Sequence, residues 1–157
     1  MKVLDIRANN RKKCFEIETS RRSYTFPYAR LRLRPEPGIR IADVRPEAEM
    51  GNEGFTYHLE DGRTDTLHVD AVLDYNMDPE FIRDLHLYRM TLEALEALKG
   101  TRMSKRELIR ALGTSPAQLY RLLDPTNYSK SMGQMMALLH LLGRKVEVTV
   151  SEAEPMS

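Results

Sequence analysis

Ser104-Lys105-Arg106-Glu107-Leu108-Ile109-Arg110-Ala111-Leu112-Gly113-Thr114-Ser115-Pro116-Ala117-Gln118-Leu119-Tyr120-Arg121-Leu122 is the stretch whose spacing decides how this chain folds. Ser104 stands three residues before Glu107, Ser115 three before Gln118 and, further on, Ser131 three before Gln134. In that arrangement the serine hydroxyl accepts the backbone N–H three residues on, and the Glu or Gln reaches back to the serine N–H. The spacing predicts three helix starts. The first helix runs from Lys105 to Leu112 and stops at Gly113, since glycine readily takes the left-handed conformation that closes a helix. Only Gly113 and Thr114 separate it from Ser115, and Pro116 falls at the first helical position, where a missing N–H costs nothing.

A short helix, a glycine turn and a second short helix form the helix-turn-helix outline, which places its second helix in the DNA major groove. Leu108, Leu112, Leu119 and Leu122 fall where two such helices must share a core. The run Glu107 to Leu122 resembles the Cro and lambda-repressor-like (XRE-type) helix-turn-helix family, whose pattern E-L-A-x-x-L-G-V-S-x-x-x-V-x-R-I it follows without a gap. Ser131-Met132-Gly133-Gln134-Met135-Met136-Ala137-Leu138-Leu139-His140-Leu141-Leu142-Gly143 is similar to that family's following helix. Ile109 departs from the small residue usual at the helix crossing, and Thr114 from an apolar one. The resemblance covers about a third of the chain. It implies a DNA-binding transcriptional regulator, a repressor acting as a homodimer on a roughly palindromic operator, rather than an enzyme. The rival from another class is a protein-binding adaptor or toxin-neutralising protein whose helix-turn-helix has lost DNA binding.

Leu119 and Leu122 point inward, so the opposite face of the second helix carries Pro116, Ala117, Tyr120 and Arg121. Arg121 is the best base reader, because a guanidinium holds guanine O6 and N7 with two hydrogen bonds. Ala117 suits a thymine methyl, whereas Pro116 offers no donor. Gln118 has two readings, a DNA contact or the return half of the cap. Ser115, Lys105, Arg106, Tyr128, Ser129 and Lys130 lie at helix starts or in the loop before Ser131, where phosphate contacts form.

The net charge of +1 hides a strong division along the chain. Residues 1–34 hold ten Lys/Arg and three Asp/Glu, a net of +7; residues 35–99 hold six and fifteen, a net of −9. Residues 101–131 hold six and two, a net of +4, as a phosphate-binding surface should. Arg30, Arg32 and Arg34 alternate with Leu31 and Leu33, reading as a wet edge, as partners for the acidic middle, or as a second nucleic-acid face.

Val3 to Ala8, Lys13 to Thr19, Tyr24 to Tyr28, Ile39 to Val44, Phe55 to Leu59 and Thr66 to Val69 are short stretches with rough alternation, as half-buried strands require. Asn9-Asn10 and Glu60-Asp61-Gly62-Arg63 are hairpin signals. In outline this part resembles small bacterial β-rich domains of unknown function. Asp78-Pro79 starts a helix expected to reach Lys99 and stop at Gly100. Phe81, Leu85, Tyr88, Leu92 and Leu95 form one apolar stripe, and Leu87, Met90, Ala94 and Ala97 another, enough to share with a core and a second subunit. Arg144-Lys145-Val146-Glu147-Val148-Thr149-Val150 alternates as a strand, an ending similar to that of HicB-type and HigA-type antitoxins. That ending makes a toxin protein a further candidate partner, bound through the sheet. The other version is a stand-alone repressor whose sheet senses a ligand.

The expected fold is therefore α+β: an antiparallel β-rich module over 1–77, a helix-turn-helix domain with a terminal β-strand over 78–150, and a mobile tail over 151–157. At 157 residues the chain has room for a real core but not for a large enzyme. No signal-peptide pattern follows Met1 and no apolar run is long enough for a membrane, so a cytoplasmic protein is expected. Cys14 stands alone, which fits a reducing compartment, and reads as a small strand residue. His58, His68, His86 and His140 show no ligand spacing, and no phosphate loop or nucleophile motif occurs, so neither metal nor cofactor is expected.

Overall fold

The computed structural model describes residues 1–153, arranged as two compact units that divide between Phe81 and Ile82. The architecture is mixed α+β, with strands first and helices after. Two three-stranded antiparallel sheets stand where one sheet module was expected. Strands β1 (Val3–Asn9), β2 (Cys14–Thr19) and β3 (Ser23–Pro27) form the first, in the order β1-β2-β3. Strands β4 (Ile41–Pro46), β5 (Gly54–Leu59) and β6 (Thr64–His68) form the second, in the order β4-β5-β6.

The sheets share one core because their central strands turn large side chains toward each other. Phe15 and Ile17 alternate inward on β2, and Phe55, Tyr57 and Leu59 on β5. The Phe15 ring meets the edge of Phe55 at 5.1 Å between centroids and that of Tyr28 at 5.0 Å, the T-shaped arrangement that adds to burial for aromatic pairs. Helix α1 (Val69–Tyr75) closes this core with Val69, Val72 and Leu73, whose i, i+3, i+4 spacing makes a helix rather than a continued strand.

The two sheets are also two copies of one unit. Val3-Leu4-Asp5-Ile6-Arg7 of β1 matches Ile41-Ala42-Asp43-Val44-Arg45 of β4, and each strand carries its register irregularity at the same place, between Val3 and Asp5 and between Ile41 and Asp43. Phe15 of β2 matches Phe55 of β5. Each third strand runs into a helical segment, a single turn at Tyr28–Arg30 or helix α1. The first residue of each segment donates its N–H to the carbonyl just before the central strand: Tyr28 to Lys13 at 2.9 Å, Val69 to Glu53 at 2.8 Å. Each copy also grips the other. The Val3 N–H donates to the Asn52 carbonyl at 2.7 Å, and the Asn10 side chain donates to the Ile41 carbonyl at 3.1 Å.

Asp78 starts helix α2 (Pro79–Gly100) as expected, its carboxylate accepting the Phe81 N–H at 3.1 Å. Phe81 packs into the first core. Beyond it lie α3 (Lys105–Leu112), α4 (Pro116–Leu122) and α5 (Met132–Leu141), packed with α2 around Leu108, Leu119, Leu122, Met135 and Leu138. Of the two stripes on α2, Leu87, Ala94 and Ala97 are buried here together with Thr91, while Tyr88 and Leu92 stand exposed. Residues 144–150 do not form the expected strand. They belong to no ladder among the described residues, and Val148 and Val150 are 74% and 90% exposed. The expected tail lies partly outside the described residues. Among those described, no helix is long and apolar enough to cross a membrane.

Candidate nucleic-acid interface

Helix α3 opens with a complete capping box. The Ser104 hydroxyl accepts the Glu107 N–H at 3.1 Å, and the Glu107 carboxylate accepts the Ser104 N–H at 3.2 Å. Gly113 closes the helix in the left-handed region at φ 63°, where a side chain would cost strain, and the chain enters α4 through Thr114. Ser115 and Ser131 make the serine half of the box, each accepting from a Gln N–H at 3.2 Å. The Gln118 amide has no hydrogen bond among the described residues, so its capping role is absent.

Leu119 and Leu122 are buried, and the face opposite presents Pro116, Ala117, Tyr120 and Arg121 to solvent. Ser115 is exposed at the same helix start, with Gln118 half-buried beside it. Tyr120 is 58% exposed and carries the Lys105 ammonium 5.1 Å from its ring centre, which joins the start of α3 to the outer face of α4. Arg106 is exposed on the first turn of α3. Ser104, Lys105 and Arg106 at the start of α3 and Tyr120 and Arg121 on α4 are exposed, and Lys105 and Tyr120 are the contact between the two groups.

The loop from Asp124 to Lys130 is ordered by its own side chains. The Asp124 carboxylate accepts from the Thr126 N–H at 2.9 Å and the Thr126 hydroxyl at 2.8 Å, bonds that hold its pKa below the usual carboxylate range. The Asn127 amide donates to the Arg121 carbonyl at 3.2 Å and its oxygen accepts from the Ser129 N–H at 3.0 Å. Tyr128 and Ser129 are exposed, with the Tyr128 carbonyl held by the Arg83 guanidinium at 3.2 Å.

Lys130 is buried rather than presented to a phosphate. Expected at a phosphate, it is only 6% exposed, and its ammonium donates to the Thr91 hydroxyl at 2.6 Å, the Leu122 carbonyl at 2.9 Å and the Asp124 carbonyl at 2.8 Å. Those bonds use all three N–H donors of a lysine. Thr91 in turn donates to the Leu87 carbonyl at 2.7 Å. Lys130 therefore satisfies carbonyls that the end of α4 leaves open and ties that helix to α2. Burial lowers its pKa while Asp124 opposes the shift.

Arg83, Thr91, Asn127 and the pinning role of Lys130 were not singled out in the sequence. The one available signal is Thr91, a polar residue one turn from Leu87 and three from Ala94 in an otherwise apolar stripe. Elsewhere, Arg32 pairs with Asp65 at 2.9 Å, Arg30 lies over the Tyr75 ring at 5.7 Å, and the Arg34 Nε donates to the Leu31 carbonyl. Burial and then Glu16 push the Cys14 thiol up, which disfavours the reactive thiolate. Among the described residues, no three His, Cys, Asp or Glu side chains cluster. Comparison with family models, with curated proteins and with solved structures finds no match.

Proposed function

We propose that this chain is a sequence-specific double-stranded DNA-binding transcriptional regulator, a repressor whose α3 and α4 form a helix-turn-helix and whose active form is a homodimer. The observation that supports it most is the exposed outer face of α4, which carries Arg121 and Tyr120, with the Lys105 ammonium at the start of α3 5.1 Å from the Tyr120 ring. Arg121 reads a base; Lys105, Arg106 and the capping serines hold phosphates. Arg121→Ala weakens binding to the operator by about 1–3 kcal/mol and relaxes the preference at one base pair. Fluorescence anisotropy on labelled DNA from the region upstream of the coding sequence measures this, and equal affinity of parent and variant removes Arg121 from the interface.

A second copy is part of the same reading, because one helix-turn-helix covers half an operator. The alternating Val146, Val148 and Val150 are exposed, as are Tyr88 and Leu92 on α2. The terminal strand forms when two copies pair. Light scattering is expected to give the mass of a dimer for the parent and of a monomer for Val148→Asp. A monomeric parent contradicts the dimer.

The toxin-neutralising adaptor remains a second reading, favoured by the loss of Lys130 from the phosphate contacts. It predicts no retention on any DNA.

A further inference from the structure

The two copies of the strand unit differ at one equivalent place. In the second copy, the residue before the central strand is Glu53, and the Met1 ammonium faces it at 3.5 Å. In the first copy the same position is Lys13, whose carbonyl accepts from Tyr28 just as that of Glu53 accepts from Val69. The segment before β4 brings Ile39 and Arg40 to this place, and its one carboxylate there, Glu36, faces Arg63. Lys13 has no partner among the described residues, and it sits in the left-handed region at φ 55°, unusual for a lysine.

An open cleft of about 500 Å³ lies at this place, within the first unit. It is lined by Tyr28, Ala29, Pro35, Pro37 and Ile39, by the polar Asn10 and Glu36, and by the cations Lys13, Arg34 and Arg40. Of these cations, Arg40 is paired with Glu60 at 2.9 Å, and Glu36 faces Arg63 at 3.6 Å. Arg34 spends its Nε on the Leu31 carbonyl, and its terminal nitrogens remain unengaged among the described residues. The Tyr28 hydroxyl, pushed up to about 12 chiefly by burial, stays neutral and donates to Asn10 at 3.1 Å. The lining is pre-formed. Pro35 and Pro37 restrict it, and Glu36 and Ile39 exchange two backbone hydrogen bonds at 3.0 and 2.9 Å around Gly38. A rigid apolar cleft with two uncommitted cations meets the usual description of a small-molecule site.

We infer that the cleft between Lys13 and Arg34 binds a small molecule with an anionic head and a flat apolar body. The head sits between the Lys13 ammonium and the Arg34 guanidinium, and the body lies along Ile39 and the two prolines. The inference stands apart from DNA binding, since its test contains no operator. Phenyl phosphate, benzoate, benzyl alcohol and inorganic phosphate are titrated into the ¹⁵N-labelled full chain, and amide shifts are followed by NMR. Saturable shifts centred on Lys13 and residues 34–40 with phenyl phosphate or benzoate are expected, with much weaker effects from benzyl alcohol and inorganic phosphate. The double variant Lys13→Gln/Arg34→Gln, its dispersion unchanged, loses affinity at least about tenfold through the missing charge-assisted bonds. No saturable shift there, equal binding of the neutral alcohol or of bare phosphate, or unchanged affinity in the double variant overturns the site. So does a short DNA duplex that shifts these amides when phenyl phosphate does not, because the cations would then be a nucleic-acid contact.

Discussion

Lys130→Ala unfolds the helical unit at markedly lower denaturant than the parent, with a loss of about 3 kcal/mol. The substitution strips the hydrogen bonds from two backbone carbonyls, those of Leu122 and Asp124, and from the Thr91 hydroxyl. Bonds from a charged donor contribute about 1.5–3 kcal/mol each, and water reaching the vacated site recovers part of that. Lys130→Met keeps the apolar stem and removes only the ammonium, so it recovers packing but not the bonds. Urea denaturation followed by far-ultraviolet circular dichroism, to which α2 to α5 contribute most of the helical signal, gives the comparison. An unchanged midpoint for both variants means that the ammonium lies in solvent and returns Lys130 to the phosphate contacts.

Asp78→Ala carries the second large effect, about 3 kcal/mol, in the first unit. Asp78 is 2% exposed; its carboxylate accepts from the Tyr24 hydroxyl at 2.8 Å and the Phe81 N–H at 3.1 Å, with Arg21 at 3.6 Å and Arg22 at 3.9 Å. Arg21 also pairs with Glu80. Removing the carboxylate deprives α2 of its cap and leaves the buried Tyr24 hydroxyl without an acceptor, while the guanidiniums can return to water. Burial by itself opposes the charge, yet the hydroxyl, the N–H and the two guanidiniums together hold this carboxyl below the usual range. A group whose pKa falls on folding stabilises the fold above its unfolded value, about 3.9 for aspartate. That stability is lost as pH falls below this value and through the lower folded pKa. The parent therefore loses stability in acid more steeply than Asp78→Ala. Parallel profiles of unfolding free energy between neutral pH and about pH 3 contradict the assignment.

What was legible in the sequence was local. The helix starts at Ser104, Ser115 and Ser131 and the cap at Asp78 could be read because a cap is made by residues three apart. The inward leucines of α3 and α4 follow from helical periodicity. Lys130 was misread because its three acceptors come from a helix end, a loop and the distant Thr91; a lysine next to a capping serine otherwise looks like surface. Helix α1 was missed because the β-branched Val69 follows β6 directly with no turn residue between, and the i, i+3, i+4 spacing begins only there. The duplicated unit was present in the two pentapeptides from Val3 and Ile41, yet strand-by-strand reading does not compare them. The alternation of Val146, Val148 and Val150 specifies a strand only when it pairs with an edge, and no such pairing forms among the described residues.

The most direct test of the central claim is gel retardation of the upstream DNA by the parent protein, with unrelated competitor DNA in excess and salt varied. A retarded complex that survives the competitor and weakens steadily as salt rises is expected, since phosphate contacts release counterions. No retardation at low salt and micromolar protein, or a complex that unrelated DNA abolishes at equal concentration, contradicts sequence-specific DNA binding.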